Sequence, residues 1–275
     1  MTDKNALEGA AQRPDAKLSR RSLVAAGALL GAMSPFVAKK ASAEFWRDEL
    51  CSKSYNQNSI SCMCFLAGTR LLTPEGEVAI EKIRIGDLVA TASGKARPVR
   101  WIGRIVSDRS GDAPWHVNAM PVRVSKDAFG AGSPHRDLYL SPSHMVHLNG
   151  VLMPIGDLIN GRTITPVDVA GDQLTYFHIE LETHDVLIAE GAPCESFLTT
   201  AEKLAVFDNA DEYYALYGVP TSDMVACAPL AAFNGGRSEL KSRLRSAVSP
   251  IIDIRRPADV ARDHIEARAL LSKAA

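Results

Sequence analysis

The stretch Cys64-Phe-Leu-Ala-Gly-Thr-Arg-Leu-Leu-Thr-Pro-Glu-Gly76 decides how the chain is read. It puts a thiol directly before a β-type run and a turn. Farther along, Ser141-Pro-Ser-His144 supplies a histidine after a short hydroxyl-bearing turn. A cysteine that opens a domain can attack the carbonyl of the residue before it, since covalent bonds hold the two together. The attack still needs a proton for the leaving amide nitrogen. A histidine, with an ordinary pKa of about 6.5, can supply one. These parts together imply a peptide bond that cuts itself.

Working outward, Gly86-Asp87-Leu88-Val89 and Pro98-Val-Arg-Trp-Ile-Gly103 follow as turn and strand segments. Leu140-Ser-Pro-Ser-His-Met-Val146 frames the histidine, and Phe177-His-Ile-Glu-Leu-Glu-Thr-His-Asp-Val-Leu-Ile-Ala-Glu-Gly191 closes the series. In order and spacing these blocks resemble the Hint superfamily of hedgehog C-terminal domains and inteins, nearest to bacterial Hint modules that begin Cys-Phe-x-x-Gly-Thr. The third block is similar to the family's T-x-x-H, with serine in place of threonine. The resemblance implies a mainly β, pseudo-twofold fold over residues 64–198. It also implies self-processing at Met63-Cys64.

Between those motifs the pattern is β-type throughout. Short runs such as Pro121-Val-Arg-Val-Ser125, Asp137-Leu-Tyr-Leu140 and Val186-Leu-Ile-Ala189 are broken by Gly, Pro, Asp and Ser. Ile85-Gly-Asp-Leu-Val89 and Ile155-Gly-Asp-Leu-Ile159 are nearly the same pentapeptide, an echo expected of an internal duplication. After residue 198 the character changes to helical. Thr200 to Tyr217 reads as one helix stopped by Gly218-Val-Pro220, and Ser238 to Val248 as a second. A third runs from Pro257 to Lys273, with proline in the first turn. Residues 199–275 are thus a helical extension that covers a sheet edge or docks a partner.

The first 43 residues stand apart from this domain. Ser19-Arg20-Arg21-Ser22-Leu23 resembles a twin-arginine export signal, followed by a weakly apolar Ala/Gly-rich run. That run falls short of the about 20 apolar residues of a membrane span. Ala41-Ser42-Ala43 reads as the cleavage site, so no stable span is expected in the mature chain. The expected destination is the periplasm or the outside of the cell. Residues 44–63 are polar and without apolar periodicity, a linker or processed segment.

Composition narrows the chemistry further. The 275 residues carry 31 Lys and Arg against 32 Asp and Glu, with no basic stripe, so nucleic-acid binding is not expected. The five cysteines are Cys51, Cys62, Cys64, Cys194 and Cys227. None forms a C-x-x-C pair, and Cys62-Met-Cys64 is too tight for the usual zinc spacing. Neither a metal nor a cofactor is therefore expected. Cys194 has three readings: acyl acceptor, disulfide partner of Cys64, or ordinary buried residue.

Four residues are the candidates for the reaction. Cys64 is the nucleophile, His144 the acid, and Ser141 a hydrogen-bonding partner of the scissile unit. His184, from the closing block, is an acid or base for a later step; this role follows from the resemblance. Thr69 packs or bonds near the turn. His147 competes with His144, but the spacing from Ser141 favours the latter, and His178 shares the closing block. Inteins end in His-Asn followed by Cys, Ser or Thr; here Glu190-Gly-Ala-Pro-Cys-Glu-Ser-Phe197 stands instead, which argues against full splicing. Cleavage alone remains, its thioester resolved by water, a thiol or another small nucleophile. Two rivals stay open, a silent scaffold serving as a binding module for an unidentified protein, and a cysteine hydrolase acting in trans.

Export is expected to depend on the paired arginines. Replacing both Arg20 and Arg21 with Lys should hold the protein in the cytoplasm, as fractionation would show. Wild-type levels of the double variant in the periplasm would refute the assignment.

Overall fold

The structure, a computed structural model, describes residues 63–109, 115, 119–233 and 236–271. The expected export signal, the polar segment before Met63, and Cys51 and Cys62 lie outside the described residues. In chain order the strands are β1 (Phe65–Leu66), β2 (Arg70–Thr73), β3 (Gly76–Ala79), β4 (Leu88–Ala90), β5 (Ala96–Pro98), β6 (Trp101–Asp108) and β7 (Val122–Val124). Then come β8 (Leu138–Leu140), β9 (Met145–Leu148), β10 (Val151–Pro154), β11 (Ile164–Pro166), β12 (Gln173–Glu180), β13 (Val186–Ala189) and β14 (Ala192–Glu195). Short 3-10 turns at Ile80–Lys82 and Ile155–Leu158 follow β3 and β10. This is the mainly β fold expected, followed by helices.

One sheet has the order β11-β7-β8-β1-β12-β6, the other β10-β9-β14-β13-β2-β3; β4 and β5 form a small ribbon. Exchange β1 with β8, β2 with β9, β3 with β10, β6 with β11, β7 with β12 and β13 with β14. Each sheet order then reads as its own reverse, the mark of a twofold relation. At the centre Phe65 pairs with Leu140. Arg70 and Met145, Gly76 and Val151, and Ile80 and Ile155 all begin matching elements and stand the same 75 residues apart, as do Phe65 and Leu140.

Backbone bonds repeat at that interval. The Thr69 N–H donates to Leu66 O at 3.2 Å, and the His144 N–H donates to Ser141 O at 3.0 Å. Ile80 then bonds Thr69 O at 2.8 Å, as Ile155 bonds His144 O at 2.9 Å. The pentapeptide echo is out of step with this repeat. Its first copy forms a turn into β4, whereas the second is a 3-10 turn whose structural counterpart is Ile80-Glu-Lys. The duplication is real; the words that suggested it are not its trace.

Alternation sets the two faces. Along β6, Trp101, Gly103, Ile105 and Ser107 point inward, and Leu174, Tyr176, His178 and Glu180 do so along β12. The larger apolar cluster includes Phe65, Leu71, Leu140, Val146, Leu187 and Cys194. A second gathers Cys64, Trp101, Tyr176, Phe197, Phe207 and Tyr213.

The C-terminal extension holds α1 (Ala201–Leu204), α2 (Ala210–Tyr217), α3 (Gly236–Val248) and α4 (Pro257–Leu271). Where one helix was expected from 200 to 217 there are two, and the break has a purpose. Asp208 Oδ2 accepts from the Val106 N–H at 2.7 Å. Asn209 Oδ1 accepts from Arg104 N–H at 2.8 Å, while its Nδ2 donates to Ile102 O at 2.9 Å. These side chains occupy the open edge of β6 in place of a strand. At the other sheet, Leu152 in β10 donates to Pro229 O and accepts from Ala231 N–H, both at 2.9 Å. Both edges are covered by the extension. Between α3 and α4, the buried Asp259 carboxylate is gripped by Arg245 at 2.6 Å and by Ser242.

Gly103 faces Phe207, and a Cβ there would overlap the Phe207 ring. We expect Gly103→Ala to destabilise the protein by about 1–3 kcal/mol, the usual scale for overpacking. Thermal unfolding would report it, and the loss should shrink when Phe207→Leu makes room.

Candidate functional site

Cys64 is wholly buried at the mouth of β1. Its amide N–H donates to Ser141 Oγ at 2.7 Å, and its carbonyl accepts from the Ser141 N–H at 2.9 Å. Because β1 runs beside β8, the residue following β8 falls opposite the residue preceding β1. The hydroxyl expected to serve the scissile unit therefore lies on the nitrogen of the Met63–Cys64 bond.

The turn begun by Ser141 delivers His144 into the same interior, where it is fully buried. Its ring lies against Phe65, with centroids 4.2 Å apart, and beside His178 at 5.0 Å. Neither ring nitrogen has a hydrogen-bond partner among the described residues. The Met63 carbonyl lies near enough to favour the protonated ring without completing a bond of ordinary geometry. Burial dominates, and together with the charge of His184 it outweighs Glu195 and that carbonyl, lowering the His144 pKa to about 4. The ring is neutral at neutral pH. The proton it was expected to carry at the outset is not resident there.

His178 projects from β12 on the inward face, with the Glu195 backbone near enough to favour its protonated ring without completing a bond of ordinary geometry. Burial, then the charges of His144, His184 and Lys203, hold its pKa well below the usual value. His184 sits in the turn between β12 and β13. The Cys227 amide donates to its Nδ1 at 2.9 Å, and its Nε2 is 3.5 Å from Glu195 Oε2. Burial lowers its pKa, but the Cys227 side chain and Glu195 prevail and raise it to about 9. These facts pull apart, because a doubly protonated ring has no lone pair for the Cys227 amide. As placed, Nδ1 accepts from the Cys227 N–H, and the added proton that Glu195 favours requires the Cys227 segment to turn away.

Glu195 completes the group from β14, wholly buried, with Oε1 accepting from the Met145 N–H at 3.0 Å. Ligating atoms of His144, His178 and Glu195 all lie within 4.8 Å of one another. A second group with such spacing joins the half-buried Glu77 and His135 to the buried Glu190, beside Arg136.

Of the residues expected from sequence, Cys64, Ser141 and His144 come together, and His184 approaches them through Glu195. His147 does not; it is half-buried in β9 opposite Leu152. Thr69 closes its own turn, Oγ1 donating to Leu66 O at 2.7 Å. Cys194 is a free thiol of the larger core, opposite Val146, and burial and the Glu195 charge push its pKa far up. Sequence reasoning missed Glu195 and gave His178 no role. For His178 the signal lay in alternation, since it stands where an apolar residue would continue the inward row of Leu174 and Tyr176; Glu195 falls on the face of β14 opposite Ala192 and Cys194, where alternation gave none.

Against known proteins, a family model described as Hint domain matches residues 63–201, half of the chain. The gp41-1 intein crystal structure is 16% identical with a TM-score of 0.35, over 48% of this chain and 97% of that one. The solution structure of a bacterial intein-like domain from Clostridium thermocellum is 15% identical with a TM-score of 0.36, over 50% and 100%. A search of curated proteins finds no match.

Exposure separates two of the thiols. Cys227 is exposed and Cys194 is not, so brief alkylation of the native protein should label Cys227 and spare Cys194. Peptide mapping would read this, with Cys194 labelled only after unfolding.

Proposed function

As this chain belongs to the Hint domain family, we propose that it cuts its own backbone between Met63 and Cys64. Cys64 Sγ attacks the Met63 carbonyl carbon. The carbon–sulfur bond forms, the carbon–nitrogen bond breaks, and the acyl chain ends on sulfur as a thioester. The thiol proton must reach the departing nitrogen, which otherwise recaptures the acyl group.

The observation that carries this reading is the pairing of two contacts on one peptide unit. Ser141 Oγ holds the Cys64 N–H at 2.7 Å, and the neutral His144 ring stands beside the Met63 carbonyl. A neutral imidazole begins as the base: it takes the thiol proton and returns it to nitrogen as acid. In its protonated interval it also faces the oxygen on which negative charge develops. His184, held by Glu195, stands behind this pair and serves the later step.

Cleavage here stops at the thioester, which water or a small thiol resolves, because the His-Asn ending of splicing domains is missing from residues 190–197. Full burial of Cys64 disfavours turnover of an outside substrate. The reading includes export by the twin-arginine route, carried by residues 1–43. Among the described residues no helix is long and apolar enough to cross a membrane.

Intact-mass spectrometry of the full chain tests this directly. Wild type should lose the segment before Cys64, faster with added thiol or hydroxylamine. Cys64→Ala should abolish the loss, and His144→Ala should slow it by about a hundredfold or more. Cys62→Ala should leave it unchanged. Wild type that stays whole for days in thiol would replace self-cleavage with the silent-scaffold reading.

A further inference from the structure

The C-terminal hairpin is built inside out. Along α3 the buried residues are Glu239 and Ser242, with Arg243, Arg245 and Ser246 half-buried beside them, and they meet polar residues of α4. Arg245 Nε lies 2.6 Å from Asp259 Oδ2, Ser246 Oγ donates to Asp263 Oδ1 at 2.9 Å, and Arg243 stands 3.7 Å from Glu266. The apolar side chains point the other way. Leu240 and Leu244 are 58% and 57% exposed, Val248 is exposed with them, and Ile251 in the following turn is 86% exposed. By contrast α4 buries Ala258, Ala261, Ile265 and Ala269, and all but Ala269 join the larger apolar cluster.

A helix on a water-facing surface turns its apolar stripe toward the core, so a stripe turned outward marks a face that something else covers. Residues 237, 240, 241, 244 and 248 recur at three- and four-residue steps and share that face. Its charges decide the occupant. Arg237 and Lys241 stand on it, exposed, and form no ion pair among the described residues. Between residues 236 and 252 the only acidic residue is Glu239, which is buried and receives Arg243 Nε at 2.9 Å. Asp253, next along, is taken by Arg255 at 2.8 Å.

The face is therefore apolar and cationic, with no acid free to answer its charge. From this we propose that α3 and the turn after it bind an anionic lipid surface. Leu240, Leu244, Val248, Ile251 and Ile252 enter the apolar boundary, while Arg237 and Lys241 meet the headgroup phosphates. Long cationic side chains beside an apolar stripe keep their charged ends at headgroup level in this way. With 13 residues, α3 lies on such a surface and does not cross it, since a span needs about 20.

Two other occupants fit less well. In a twofold pairing with a second copy the face would meet itself and set Arg237 and Lys241 against like charges. A protein groove receives a helix by anchors along one narrow line. Here the exposed apolar side chains continue past the helix end through Ile251, Ile252 and Ile254, a spread that suits a fluid surface.

Sedimentation with lipid vesicles tests this, using the full-length Cys64→Ala protein so that the chain stays whole. Vesicles of equal parts phosphatidylglycerol and phosphatidylcholine are compared with phosphatidylcholine alone. We expect binding to the anionic vesicles, weakened by salt. Arg237→Gln with Lys241→Gln should weaken it by about twentyfold, from a factor of about five for each basic residue near such a surface. Leu240→Ser with Leu244→Ser should weaken it at least as far, at an unchanged melting temperature, because the replaced side chains are exposed. Ile251→Ser with Ile252→Ser, outside any helix, repeats the test if the first leucine pair folds poorly. Every variant keeps residues 1–43, so binding by that segment is common to all of them. No binding to anionic vesicles, or equal binding by wild-type and substituted faces, overturns the proposal. A dimer that Leu244→Glu dissolves, without vesicle binding, would also overturn it and give the face to a second copy.

Discussion

The molecule is organised around one exchange of hydrogen bonds, in which Cys64 and Ser141 hold each other across the β1–β8 pair. Phe65 there faces Leu140, its own counterpart in the duplicated half. From that seam one sheet extends symmetrically, and in the other the β13–β14 pair holds the same central place. Shifting the β1–β8 register by one residue would turn Phe65 out of the core and carry Ser141 away from the Cys64 nitrogen. Core packing and the alignment of the site are therefore set by the same pairing.

Legibility from sequence followed the physics of each element. Half-buried strands announce themselves by alternation, and runs such as Pro121 to Ser125 and Val186 to Ala189 were read at close to their observed bounds. Glycine marked the C-terminal end of α2 and proline the start of α4. Thr200 to Tyr217 reads as one helix because Leu204, Phe207, Tyr214 and Leu216 fall at mixed helical spacings, yet it forms two. Asp208 and Asn209 gain more by filling the β6 edge than by extending a helical turn, and that competition is visible only once β6 is in place.

In the site, the residues readable in advance were those joined by local order: a thiol opening a strand, and a hydroxyl three residues before a histidine. Glu195 and His178 were illegible for the opposite reason. Their significance depends on three strands converging, and a lone polar residue in a β run gives no sign of which neighbours it will meet. His144 shows a further limit. Its identity was evident, but its proton affinity is set by the burial that β9, β12 and Phe65 impose.

Duplication also left a built-in comparison. Thr69 and His144 end equivalent turns, closed by matching backbone bonds and leading into matching hairpins, β2–β3 and β9–β10. One turn carries an imidazole, the other a hydroxyl occupied with its own loop. Chemistry and architecture are thus inherited separately in this fold. A descendant could lose the few side chains of the half that carries His144 and keep every strand, so ancestry within this superfamily and retention of a reaction are independent traits.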